Sequence, residues 1–204
     1  EDLRSGERVL GPGTVLGAVE IAILASAGLG EVSVYSVPRV AVLNTGNELV
    51  EPGGTPPPGH IPNCNGPLLE SLARSELCQV IYLGIAGDRR DLLLRALERG
   101  LGHDVLLVSG GVSMGDYDLV PDVLRELGVM ELFYRMQVKP GKPLYFGNRE
   151  NCLVFGIPGN PVSNFTTFHV FVKPAIRRLR GIGTLQPPVQ ARLSRTLEKR
   201  GERA

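Results

Sequence analysis

The segment DVLLVS, residues 104–109, sets the tightest limit on what this chain can fold into. It is a continuous apolar run with no polar alternation. A strand apolar on both faces must be covered on both, as in a parallel sheet sandwiched between helices. Its surroundings agree. A helical pattern at 67–77, with Pro67 suited to a first turn, precedes a strand at 79–86. A second helix at 88–100 has Asp88 placed as its N-cap and Gly100 as its stop. A short helix follows at 121–127, closed by Gly128. The β-branched run RVAVLN at 39–44 supplies a further strand.

Strand–helix alternation with fully apolar strands predicts an α/β fold, a three-layer α/β/α domain with a mostly parallel sheet. The segments 131–138, 143–147 and 151–157 follow one another too closely for crossover helices. Part of the sheet is therefore expected to run antiparallel, making it mixed. A long helix is expected from Pro161 to about Gly181, with Phe165, Phe168, Val172, Ile176 and Leu179 on its buried side and a kink at Pro174. A helix is read at 18–27 from the stripe Ile21, Leu24, Ala25, and VSVYSV at 32–37 is strand-like. From Gln186 a new strand begins.

The 204 residues suit one domain plus a short appendage. Lys+Arg is 22 against Asp+Glu 21, a net +1 that argues against a general nucleic-acid binder. No apolar run approaches ~18 residues, so no membrane partner is expected. Three cysteines without a C-x-x-C pair read as reduced thiols of a cytoplasmic protein. The chain begins at Glu1 and ends in the charged run EKRGERA, so it is read as a piece of something longer.

In open α/β sheets ligands sit beyond the carboxyl ends of the strands. The strand at 39–44 runs into Thr45-Gly46-Asn47-Glu48, that at 79–86 into Gly87-Asp88, and that at 104–109 into SGGVSMGDYD. Parallel strands would gather Glu48, Asp88, Asp116 and Asp118 on one rim. Clustered carboxylates need a cation, and hard oxygen ligands suit Mg²⁺. The residues thus point to a magnesium-assisted site for a phosphate-containing ligand. Each acid also has a plain structural reading: a helix cap for Asp88, a solvated loop for Glu48, turn residues for Asp116 and Asp118.

The loop Ser109–Gly115 is either a tight turn or a backbone anion cradle, and it matches neither the P-loop nor the dinucleotide fingerprint. Lys139-Pro140-Gly141-Lys142-Pro143 reads as a type II hairpin turn or as a rigid oxyanion clamp. Ile157-Pro158-Gly159-Asn160-Pro161-Val162-Ser163 opens the long helix, where Asn160 caps it or the helix end faces an anion. The proline-rich loop before residue 63 is long enough to flag function. His60, His103 and His169 form no metal or nucleophile arrangement.

Taken in order, TGNEL (45–49), the Asn65 turn, GIAGD (84–88), SGGVSMGDYD, KPGKP and IPGNPVS resemble the MoeA family. These are the molybdenum insertases of molybdenum-cofactor biosynthesis, similar to the E domain of gephyrin. The likeness covers residues ~38–181 and implies a molybdopterin-binding domain there, after the end of a preceding domain (1–37) and before the start of a β domain (182–204). It implies a transferase reaction: adenylylated molybdopterin binds, molybdate is inserted, and AMP leaves with Mg²⁺ present.

On that resemblance Glu48, Asp88 and Asp118 are the catalytic and metal-holding acids. Gly110, Gly111 and Ser113 contact the pterin phosphate, and Lys139 and Lys142, with Ser163, hold molybdate. Thr45, Gly46, Gly115, Pro143, Pro158, Gly159 and Asn160 complete the substrate-binding set. A homodimer of the longer parent and contact with the molybdopterin adenylyltransferase are implied as partners, and the isolated chain can lack turnover. In two places the chain departs from the family pattern: Asn47 stands where many bacterial members have Asp, and Asn63-Cys64-Asn65 replaces D-S-N. An adenylyltransferase of the same fold is the alternative, though Val112-Ser113 in place of a G-G-T-G loop and the KPGKP loop speak against it. A non-catalytic scaffold module is the third reading.

Overall fold

The computed structural model describes residues 6–112, 119–182, 189–192 and 194–195. In chain order its elements are α1 (Ala18–Ser26), β1 (Arg39–Thr45), β2 (Leu49–Val50), β3 (Ile61–Pro62), α2 (Asn65–Ser75) and β4 (Gln79–Ala86). Then come α3 (Arg90–Gly100), β5 (Val105–Ser109), α4 (Val120–Glu126), β6 (Met130–Tyr134), β7 (Tyr145–Arg149) and β8 (Cys152–Ile157). Helix α5 (Pro161–Thr167), a π-helical turn (Phe168–Val172) and α6 (Lys173–Leu179) form one continuous rod.

Six strands pair in the order β4-β1-β5-β8-β7-β6. Strands β4, β1, β5 and β8 are mutually parallel, while β7 runs antiparallel to both β8 and β6. The mixed sheet is therefore as expected, and every residue of β5 is buried. Alternation along the strands feeds two separate cores. Ala41, Leu43, Leu106 and Val108 face Leu93 and Leu97 of α3 and Val123 and Leu124 of α4. Val40, Val42, Val105 and Leu107 face Leu69 of α2 and Phe168, Val172 and Ile176 of the rod. This is the three-layer arrangement. Each fully buried Leu, Ile or Phe contributes roughly 1.5–3 kcal/mol, so both faces of β5 drive folding.

Two local expectations are corrected, at Phe165 and at residues 32–37. Phe165 is 50% exposed and stacks on His169, whose ring centroid lies 4.4 Å away. The rotation of α5 is set by Asn164, whose buried amide donates to Pro158 O and Asn160 O. Fixing Asn164 inward turns residue 165 out. Just before Pro174 the rod passes through the π turn, where Lys173 N–H donates to Phe168 O. Residues 32–37 form no strand and lie exposed. Helix α1 forms but buries none of its residues. The strand expected from Gln186 lies mostly outside the described residues. Among those described, no helix is long and apolar enough to cross a membrane.

Candidate functional site

Because β4, β1, β5 and β8 are parallel, Ala86, Thr45, Ser109 and Ile157 end on one rim. A cleft of about 330 Å³ opens there, bounded by Thr45–Gly46, Glu48, Asn63–Asn65, Gly87–Asp88, Ser109–Gly111 and Gly159.

The β1 and β4 loops are joined to each other. Gly46 N–H donates to Ala86 O at 3.2 Å. Asn47 N–H donates to Asp88 Oδ2 at 3.2 Å, and Asp88 N–H donates to Asn47 Oδ1 at 3.0 Å. Asp88 is therefore not the N-cap of α3. That position belongs to Arg89, which makes no side-chain capping bond. Glu48 folds back over Gly46, where a Cβ would meet its Oε2 at 2.5 Å.

The proline-rich loop returns to the rim as the two-stranded β2–β3 pair, fixed by Ile61 N–H to Glu48 O and Asn63 N–H to Val50 O, each 2.8 Å. It delivers three residues that sequence reasoning did not place in the site. Asn63 Oδ1 accepts Gly66 N–H at 3.1 Å, while its Nδ2 donates to Tyr82 Oη at 2.8 Å. Tyr82 in turn donates to Glu51 Oε1. Burial and the Glu51 carboxylate together push the Tyr82 hydroxyl far above its usual range, so it stays a donor. Asn65 Nδ2 donates to Gly159 O at 2.7 Å and ties the α2 start to the α5 loop. Cys64, an exposed free thiol, lies between them.

The described part of the glycine loop, Gly110 and Gly111, packs closely against Thr45. Gly110 has φ +97°, and a Cβ there would sit 2.4 Å from Thr45 O. Its N–H donates to Ile157 O at 2.9 Å, so that donor is not open to an anion. Gly111, at φ +63°, would bring a Cβ to 2.8 Å from Thr45 Oγ1. A similar outcome holds at α5. Asn160 Oδ1 accepts Val162 N–H at 2.9 Å and Ser163 N–H at 3.2 Å, so it caps the helix and occupies the donors an anion would use.

Lys139 and Lys142 are exposed and do not line the cleft. They lie on the same rim, since β7 is antiparallel to β8 with Tyr145 opposite Gly156. Met136 N–H to Lys142 O closes a loop wider than a four-residue type II turn. Gly141 approaches α5, where its Cβ would be 3.0 Å from Thr167 Oγ1. Pro143, Pro158, Asn160 and Ser163 flank the cleft without lining it. Ser113, Gly115, Asp116 and Asp118 lie outside the described residues. Among those described, no group of three or more His, Cys, Asp or Glu is arranged to hold a metal.

What distinguishes the cleft is its floor. Thr45 Oγ1 and Ser109 Oγ are buried and have no hydrogen-bond partner among the described residues. Both residues line the cleft, at 5% and 1% exposure. Asn44, paired with Ser109 across the strands and fully buried, leaves Oδ1 and Nδ2 unpartnered as well. Each unsatisfied buried group costs about 1–3 kcal/mol. Their signal in the sequence is a polar residue closing an otherwise apolar strand, in VLN-T and LLV-S. The histidines stay apart, with His60 and His103 each held to a nearby carbonyl.

Comparison with known proteins agrees with this geometry. The family model described as "Probable molybdopterin binding domain" matches residues 41–178, the span that holds the sheet and its rim. The chain belongs to this molybdopterin-binding domain family. Within it, the likeness is to MoeA proteins, as the motifs indicated. A molybdopterin molybdenumtransferase of Haemophilus influenzae is 39% identical over 182 residues, 89% of this chain and 45% of that protein. One from a Nostoc species is 37% identical over 190 residues, covering 91% of this chain and 44% of that protein. The solved molybdopterin biosynthesis MoeA protein of Pyrococcus horikoshii superposes with a TM-score of 0.71 at 34% identity, over 84% of this chain and 42% of that one. This molybdopterin-binding domain chain thus spans less than half the length of the molybdenumtransferases it matches.

Proposed function

We propose that this chain carries the ligand cleft of a molybdenum insertase, which places molybdate into adenylylated molybdopterin and releases AMP. The observation that carries the reading is the cleft floor: buried hydroxyls of Thr45 and Ser109 without partners, on the carboxyl rim of a molybdopterin-binding domain. A ligand rich in phosphate and hydroxyl groups would satisfy them once a side-chain rotation turns these oxygens, closed off in this structure, toward the cleft.

The donor set is compatible with Mg²⁺. Glu48 and Asp88 both line the cleft, and Mg²⁺ is commonly held by one or two carboxylates plus substrate phosphates. Glu48, Asp88 and Asp118 would hold the ion, whose chemistry is to neutralise phosphate charge during cleavage. The charges are sorted along the rim: acids on the β1 and β4 loops, Lys139 and Lys142 beside β8. A ligand lying along the rim would meet carboxylates at its pyrophosphate end and ammonium groups where molybdate enters. Thr45, Ser109, Asn63 and Asn65 would orient it, and Gly110 and Gly111, packed against Thr45, would hold the floor still. Positioning and charge neutralisation suffice, without a covalent intermediate.

The reading extends to the longer protein as a cytoplasmic homodimer that receives its substrate from the molybdopterin adenylyltransferase. In this chain, residues 1–37 would be lead-in, 38–181 the binding domain and 182–204 the start of a further β domain.

The test is AMP release from adenylylated molybdopterin with Mg²⁺, with and without molybdate, alongside direct binding. Molybdate-dependent release supports insertion by this core. Binding without release moves completion of the site to the rest of the parent, and absence of binding overturns the reading. Lys142→Ala should weaken molybdate dependence at least tenfold while AMP affinity changes less than twofold; equal losses would remove the lysine from the molybdate end.

A further inference from the structure

We infer that Asn47 is a positioning residue for the Asp88 carboxylate, an inference that rests on the magnesium reading of the cleft. Asn47 is not itself in the cleft wall, although Gly46, Glu48, Gly87 and Asp88 all are. It acts through the reciprocal pair, in which each residue's side-chain oxygen receives the other's backbone N–H. Asp88 Oδ2 is thereby fixed, while no hydrogen bond engages its Oδ1 among the described residues.

Two independent features show that the pair is built in. The first is a forgone helix contact. Asp88 stands one residue before the α3 cap position, close to the helix N–H groups that aspartates commonly accept from. Here Arg89 holds the cap position without a side-chain bond, and the Asp88 carboxylate turns to Asn47 instead. The second is Gly87, whose backbone lies outside the left-handed region and does not itself demand glycine. A Cβ at Gly87 would come within 2.9 Å of Asn47 Oδ1. Glycine is needed there so that the Asn47 amide can reach Asp88 N–H. The β1 loop, led by the Gly46 to Ala86 bond, thus sets where an acid of the β4 loop stands.

The experiment is a calorimetric titration of the whole chain with Mg²⁺ alone, with melting temperatures for every variant. Partners that orient a metal-holding group commonly change affinity by about 10- to 100-fold when removed. Asn47→Ala keeps the backbone N–H that holds Asp88 Oδ2 but releases the Asp88 backbone, so it should weaken Mg²⁺ binding several-fold, short of that range, and lower the melting temperature by no more than about 4 °C. Gly87→Ala should reproduce the loss, because it blocks the same bond without touching Asn47. Asn47→Asp, which keeps an acceptor oxygen for Asp88 N–H, should bind Mg²⁺ at least as well as wild type.

Unchanged affinity in Asn47→Ala overturns the inference, even if Asn47→Asp binds more tightly, since added charge alone would then explain the gain. Equal losses in the Ala and Asp variants also overturn it. A wild-type chain that takes up no Mg²⁺ removes the magnesium reading itself, and this inference with it. The two failures are therefore told apart by the wild-type titration.

Discussion

Helix α2 meets buried polar groups at both ends, and among the described residues only those at one end are all satisfied. At its C-terminal cap, Glu76 is 7% exposed and fully partnered. Its carboxylate takes Lys173 Nζ at 2.6 Å and Arg177 Nε at 3.2 Å, and its carbonyl takes an Arg180 N–H at 3.0 Å. At the other end, α2 meets Asn44 and Ser109, whose side-chain polar atoms lack partners. Gly66 lets the helix come this close, since a Cβ there would be 3.0 Å from Asn44 Oδ1. A closed network pins α6 to α2 and belongs to stability. An open one, at similar burial, holds unfavourable free energy that a ligand can relieve. The same helix therefore separates the scaffold from the site.

The largest expected effect lies at the closed end. Glu76→Ala leaves Lys173 and Arg177 facing one another without a carboxylate, and should cost about 3 kcal/mol by urea unfolding. Ligand affinity should change less than twofold; a large loss there would erase the contrast between the two ends.

Next in size is an acid dependence. Burial raises the Glu76 carboxyl, but the Lys173 and Arg177 hydrogen bonds and charges outweigh it and hold its pKa below the usual value of 4.5. A carboxylate depressed in the folded state contributes its stability above that ordinary value and loses it as pH falls through the folded one. Unfolding free energy should therefore be flat near pH 6 to 7 and decline below about pH 4.5. Asp104 behaves alike, raised by burial and more than compensated by Arg39. Glu76→Gln should shrink the decline without abolishing it, and an unaltered decline would remove Glu76 from the acid response.

At the open end the stability effects are smaller. Asn65→Ala removes the bond to Gly159 O and should cost about 1 kcal/mol, with ligand affinity falling as the two loops separate. Ser109→Ala should be the mildest, within about 0.5 kcal/mol of wild type or slightly stabilising, because an orphaned hydroxyl is deleted. Its affinity for AMP or pterin should nevertheless fall several-fold. A clear loss of stability with intact binding would make Ser109 part of the scaffold.

Much of this architecture is legible in the chain. The unbroken apolar run at 104–109 calls for helices on both faces, and β5 is buried with helices on each side. Tight spacing between 131 and 157 calls for antiparallel returns, and β6, β7 and β8 supply them. Glu48, Asp88 and the glycine loop fall on the rim because strand direction alone carries them there. Phe165 was misread because helical spacing cannot report that Asn164, not an apolar neighbour, fixes the rotation. Residues 32–37 carry strand-forming residue types yet form no strand, because propensity alone does not supply the partner strand and packed face that a strand needs.

Local pattern, then, determined the layers, the direction of the strands and the rim on which the motifs meet. These depend on period and on which faces must leave water, and both are written in neighbouring residues. Tertiary structure alone decided which polar groups are paid for: Glu76 by residues about a hundred positions later, Asp88 by Asn47 rather than by its own helix, and Thr45 and Ser109 by nothing in the described chain. Hydrogen-bond satisfaction is a property of groups brought together from distant positions, and no window of sequence contains it.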